Sequence, residues 1–141
     1  MNKIPLPRRV ARLISRAQSV LADELDAKLA PFDITAAQYV VLSTLHSGRA
    51  NIAAQICKEL SYSPGAMTRM LNRLEQKGMI QKGPSLDSRR TVRLELTEAG
   101  QRLFPSLLAA SGTVIADYFG TFSTQELETF EALLLKMFAG K

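Results

Sequence analysis

The chain has 141 residues, 46% of them hydrophobic and 22% charged, with a formal net charge of +5. This is the composition of a globular protein with one main core, not of a disordered chain, and no apolar run approaches the roughly 18–20 residues that span a bilayer. One cysteine, Cys57, excludes an intrachain disulfide. With one histidine, His46, and no carboxylate cluster beside either, it leaves too few ligands for a zinc site within one chain.

Charge is unevenly spread. Residues 1–16 carry five basic side chains and no acid, and residues 61–100 carry seven basic and four acidic ones. The segment between them is acidic on balance. Two basic segments flanking an acidic one fit an anionic partner such as DNA. The basic N-terminus has no continuous apolar stretch and no small-residue cleavage site, so it is read as part of a structural helix in a cytoplasmic protein.

Val10, Leu13, Ile14, Ala17, Leu21, Leu25 and Leu29 recur at helical spacing and predict a long first helix over 7–29, ended by Pro31. Asp23, Glu24 and Asp26 read as its solvated face. Thr35 and Gln38 form a capping box for a helix that carries Val41, Leu42 and Leu45 and stops near Gly48. Asn51 is the cap expected for a short helix with Ile52, Ile56 and Leu60 inside, and Cys57 on it reads as a small buried hydrophobe.

The tetrad Ser61-Tyr62-Ser63-Pro64 is a turn. Ser63 caps the next helix and Pro64 occupies its first position, where a missing N–H costs nothing. That helix runs to Lys77, with Gly78 as a left-handed cap. The period then shortens to two. Residues 79–82 and 91–96 predict two strands, with Val92, Leu94 and Leu96 facing one way, around a polar tip at 83–90. Thr97 caps a helix to about Tyr118, in which Pro105 marks a bend or a false start. Ser123 and Glu126 box a last helix with a stripe at Leu127, Phe130, Leu134 and Met137.

The helix from Pro64 carries the functional signal. Met67, Met70, Leu71 and Leu74 share one face, while Gly65, Thr68, Arg69, Asn72, Arg73 and Gln76 share the other. Two guanidinium forks, an amide and a hydroxyl behind a small leading turn suit base edges and phosphates in a major groove. The short helix and turn before it supply the other half of a helix-turn-helix. The tip carries Asp87, Arg89 and Arg90, and arginines on a hairpin can enter an adjacent minor groove. Enzyme chemistry has no comparable support. No Gly-rich phosphate loop occurs, His46 sits beside a helix end, and no catalytic residue or cofactor is expected.

The run from Ser63 to Ile80, followed by Asp87-Ser88-Arg89-Arg90 and by Leu94 through Gly100, resembles the MarR family of bacterial winged helix-turn-helix regulators. In that family the wing aspartate often directly precedes two arginines, whereas here Ser88 holds that position and the aspartate stands one residue earlier. The resemblance implies a mainly α fold with a small two- to three-stranded wing. It implies a DNA-binding lobe at about 34–100 between dimerisation helices at 7–30 and 101–141. It also implies a homodimer on a pseudo-palindromic operator, usually as a repressor, often released by a small aromatic or phenolic effector. On that reading the DNA contacts are Ser63, Pro64, Gly65, Thr68, Arg69, Asn72, Arg73, Asp87, Arg89 and Arg90. Arg16, Tyr39 and His46 would line the effector pocket, where an arginine and a histidine suit the carboxylate of an aromatic acid. The alternative is a winged-helix adaptor that contacts protein instead of DNA.

Overall fold

A computed structural model describes residues 3–83 and 92–141. Helix α1 (Leu6–Leu29) begins after Pro5, with Pro7 in its first turn, and yields to a 3-10 turn at Ala30–Phe32. Pro31 lies within that turn and cannot continue an α-helix without a clash one turn back. Helix α2 (Ala36–Ser47) starts at the expected box: Gln38 N donates to Thr35 Oγ1 and Thr35 N to Gln38 Oε1, both at 3.1 Å. It ends at Gly48, whose φ of 75° is left-handed.

Helix α3 (Ala53–Leu60) departs from expectation at its start. Ile52, not Asn51, is the N-cap, and no side chain caps the helix. The Asn51 carbonyl instead accepts from Leu94 N at 2.7 Å, and Ile52 forms an isolated bridge with Arg93. Backbone pairing to the wing has taken the place of a side-chain cap. The wing is therefore two strands with a one-residue third contribution.

Helix α4 (Pro64–Gln76) is capped by Ser63, whose Oγ accepts from Ala66 N at 3.2 Å. Strands β1 (Ile80–Gly83) and β2 (Arg93–Leu96) pair antiparallel, with Ile80 opposite Leu96 and Gly83 opposite Arg93. Leu94 and Leu96 are buried as predicted, but Val92 is 45% exposed. Val92 precedes the ladder, so the pleat that turns Leu94 and Leu96 inward does not govern it.

Helix α5 (Glu98–Phe119) is capped by Thr97, whose Oγ1 accepts from Gly100 N at 3.0 Å. It continues across Pro105, so the prediction of a false start is overturned. Both Pro105 and Gln101, four residues before it, are exposed, and water can satisfy the carbonyl that proline leaves unpaired. Helix α6 (Thr124–Phe138) begins at the second capping box, with Glu126 N to Ser123 Oγ at 3.1 Å and Ser123 N to Glu126 Oε1 at 2.9 Å.

The core gathers Leu29, Val41, Leu42, Ile56, Met67, Leu74, Ile80 and Leu107, each essentially free of solvent. Helix α1 packs on α2 and α5, α2 packs on α5 and β2, and α4 packs on α3 and β1. Gly100 is where the wing meets α5. A β-carbon there would strike the Met79 backbone carbonyl, which already accepts from Thr97 N at 3.0 Å. Ala exceeds Gly in helix propensity by about 1 kcal/mol, yet Gly100→Ala is expected to lower the midpoint of urea unfolding, because backbone must move to admit the methyl group. An unchanged or raised midpoint would show that the α5–wing junction yields freely.

Candidate nucleic-acid interface

Helix α4 is divided along its length. Met67, Leu71 and Leu74 are buried, and Met70 is half-buried against the core. Ser63, Pro64, Gly65, Thr68, Arg69, Asn72 and Arg73 are all exposed. The inner face determines where the outer face points. Burying three large apolar side chains contributes on the order of 1.5–3 kcal/mol each, so the helix cannot roll without losing its core.

The outer face is chemically uniform in purpose. Arg69 and Arg73 lie one turn apart and make no ion pair among the described residues. Thr68 Oγ1 donates back to the Pro64 carbonyl at 2.9 Å, which leaves its oxygen free to accept from an outside donor. No acidic residue stands in the first turn, so the positive end of the helix dipole is not neutralised. Together these features make one end and one face of α4 attractive to anions and able to hydrogen-bond them.

Gly65 adds a further hint. A β-carbon there would meet only Arg69 Nη1, at 3.6 Å, an ordinary contact. Among the described residues nothing requires glycine at this position, and its smallness leaves room for approach from outside. The predicted wing-tip residues Asp87, Arg89 and Arg90 lie outside the described residues. The strands that carry the tip are braced by Gln81 Nε2, which donates to Glu95 Oε1 at 3.0 Å. At the base of the wing, Arg93 is half-buried and its Nε has no hydrogen-bond partner among the described residues.

The three residues expected to bind an effector fall in two places. His46 and Tyr39 both stack on Phe104, at centroid distances of 4.1 and 6.0 Å. His46 is exposed, and Tyr39 OH is 3.0 Å from Ser111 Oγ, one of the few buried polar groups. Arg16 instead lines a groove of about 360 Å³ with Leu13, Val20, Leu21, Tyr118, Phe119 and Phe130. There the Glu24 carboxylate facing the Tyr118 hydroxyl holds its pKa above the ordinary tyrosine value. Cys57 is half-buried against the core, as a small hydrophobe would be. Glu24 and Asp26, read from sequence as plain solvated surface, both have partners: Asp26 Oδ1 accepts from Ala36 N at 2.6 Å.

Residues 34–92 match the model of the MarR family. The multiple antibiotic resistance protein MarR of Escherichia coli (strain K12) is 31% identical over 135 residues, covering 95% of this chain and 91% of that protein. A crystal structure of a mutant E. coli MarR complexed with operator DNA matches with a TM-score of 0.78 at 30% identity, covering 95% of this chain and 99% of that one. A structure of the multiple antibiotic resistance repressor, MarR, matches at 0.71 and 31% identity, covering 96% of both chains. A mainly helical chain with a two-stranded wing, aligned almost end to end with such relatives, belongs to the MarR family of winged-helix transcriptional regulators and is not an enzyme.

Proposed function

We propose that this chain is a cytoplasmic transcriptional repressor that binds a pseudo-palindromic DNA operator as a homodimer and is released by a small aromatic acid. One observation carries the DNA reading: the exposed face of α4 gathers Thr68, Arg69, Asn72 and Arg73 behind a glycine that no neighbour among the described residues requires. Base edges in the major groove present acceptors to arginine forks and paired donor–acceptor sites to asparagine. The E. coli relative bound to operator DNA and the relative known as a repressor support the same direction. Of the two tip arginines, Arg89 is assigned to the adjacent minor groove and Arg90 to a pairing with Asp87.

Support for the dimer comes from α6 and α1. No residue of α6 is fully buried, and Phe130, Leu133, Leu135, Met137 and Phe138 are exposed. With the half-buried Leu127 and Leu134, these apolar residues occupy more than half of the helix circumference. One packed neighbour covers only a stripe. Leu6, Val10 and Leu13 on α1 are exposed as well. We assign residues 34–100 to the DNA-binding lobe, with 7–30 and 101–141 forming the dimer. The effector part of the reading rests on Tyr39 and His46 against Phe104 and on Arg16 beside an apolar groove. Those groups suit a ring bearing a carboxylate.

Three outcomes are expected. Arg69→Ala and Arg73→Ala should each weaken specific duplex binding by about 1–3 kcal/mol without changing the unfolding midpoint. Fluorescence anisotropy on operators selected from random duplexes measures this, and parent-like affinity in both variants removes α4 from the interface. Gly65→Ala should hold or raise the unfolding midpoint while weakening the same binding. Stronger or equal binding would mean the duplex backbone does not approach that turn. Leu133→Asp places a charge on an exposed apolar side of α6 and should convert a sedimenting dimer into monomer. A parent that sediments as a monomer and still binds the operator tightly ends the dimer reading.

A further inference from the structure

The end of α4 away from Gly65 is held by a connection that the DNA reading does not use. Lys77, the C-cap residue of α4, sends its ammonium across to the turn between α1 and α2. There it donates to the Asp33 carbonyl and, at 3.0 Å, to Gln38 Oε1, and it lies 3.7 Å from Asp33 Oδ2. An ammonium has three donors, and three oxygens of this one turn surround it. Gln38 is 3% exposed and its Oε1 is also the acceptor for Thr35 N, so the side chain that receives Lys77 is itself fixed. On the other side of the same turn, α1 is bonded to the first residue of α2 through Asp26 and Ala36 N. The long helix α1 and helix α4 therefore both grip the N-terminal turn of α2 through charged side chains.

We infer that Asp26 and Lys77 are positioning residues that set the angle of α4 against α1, and through it the half-site spacing that a dimer accepts. This rests on the reading of α4 as the DNA-reading helix of a homodimer. A dimer presents two copies of α4, and their separation is only as well defined as the link from each α4 to the helices that join the protomers. Half-sites one helical turn apart lie about 34–36 Å from centre to centre. One base pair is about 3.4 Å of that distance, so a small tilt of the lobe is enough to shift the register. Apolar packing fixes the roll of α4 about its axis, but being non-directional it resists a small tilt less. The bonds of Lys77 and Asp26 are directional and charge-assisted, and they do not.

The test uses the full chain as the dimer. Lys77→Met keeps the aliphatic stem and removes the ammonium, and Asp26→Ala removes the acceptor on the opposite side of the turn. Each is titrated by anisotropy against the selected operator, against versions with one base pair inserted or deleted between half-sites, and against an isolated half-site, at two salt concentrations. Both variants should bind the isolated half-site like the parent, while preference for the native spacing over the shifted ones falls by on the order of fivefold or more. Asp26→Asn, which keeps an acceptor oxygen, should retain the parent's preference, and this comparison decides the matter if Asp26→Ala does not fold. Unchanged spacing preference in folded Lys77→Met and Asp26→Ala overturns the inference. So does a uniform loss across all duplexes for Lys77→Met with a salt slope lower by about one unit, because Lys77 would then be a phosphate contact. A parent that selects no duplex overturns the DNA reading itself, an outcome distinct from either of these.

Discussion

The outward chemistry of this chain depends on three side chains that face inward. Met67, Leu71 and Leu74 lock one face of α4 into the core, and the arginines opposite them are aimed by that burial. A guanidinium on a free helix samples every direction. On a helix whose rotation would expose about three large apolar groups, it is held to one side. The preceding turn contributes through Ser63, which caps α4 and sets its first residue. The wing contributes through Ile80 and Leu96, which are buried beneath the same helix layer. Core and surface of α4 are thus one constraint seen from two sides.

Much of this was legible in the sequence because it is encoded locally. A capping box needs two residues three apart, and the boxes at Thr35 and Ser123 form as read. Ser63 with Pro64, and Thr97, set helix starts by the same short-range rules. The helical spacing of Met67, Leu71 and Leu74 told the inner face of α4 from the outer. The MarR-family reading came from one long run of residues, 63–80, and two short ones after it, and the similarity to known relatives shows that family. Site assignments within the run follow from exposure and chemistry alone.

What failed was non-local. Asn51 looked like a cap because its side chain is the right type, but its carbonyl was taken by Leu94, more than forty residues away. Val92 continued an alternation that the ladder itself does not reach. Pro105 looked disruptive because the sequence does not reveal that its face of α5 is solvated. Asp26, Lys77 and the Tyr39–Ser111 contact were invisible for the same reason. Each is a polar side chain whose partner lies on another element, and no pattern along the chain connects them. The α6 stripe was half legible. Its apolar spacing was clear, but Leu133, Leu135 and Phe138 widen it beyond what one neighbour covers.

That width has a thermodynamic consequence. A helix that is apolar over most of its circumference is stable in water only when something covers it, and whatever covers it adds a mass-action contribution to folding. If a second copy does so, the melting temperature of this chain rises with its own concentration, and dilution acts as a denaturant. Newly made or scarce subunits then expose the sticky surface that cellular proteases and chaperones engage. On that condition the abundance of such a chain is coupled to its own pairing through the surface chemistry of α6.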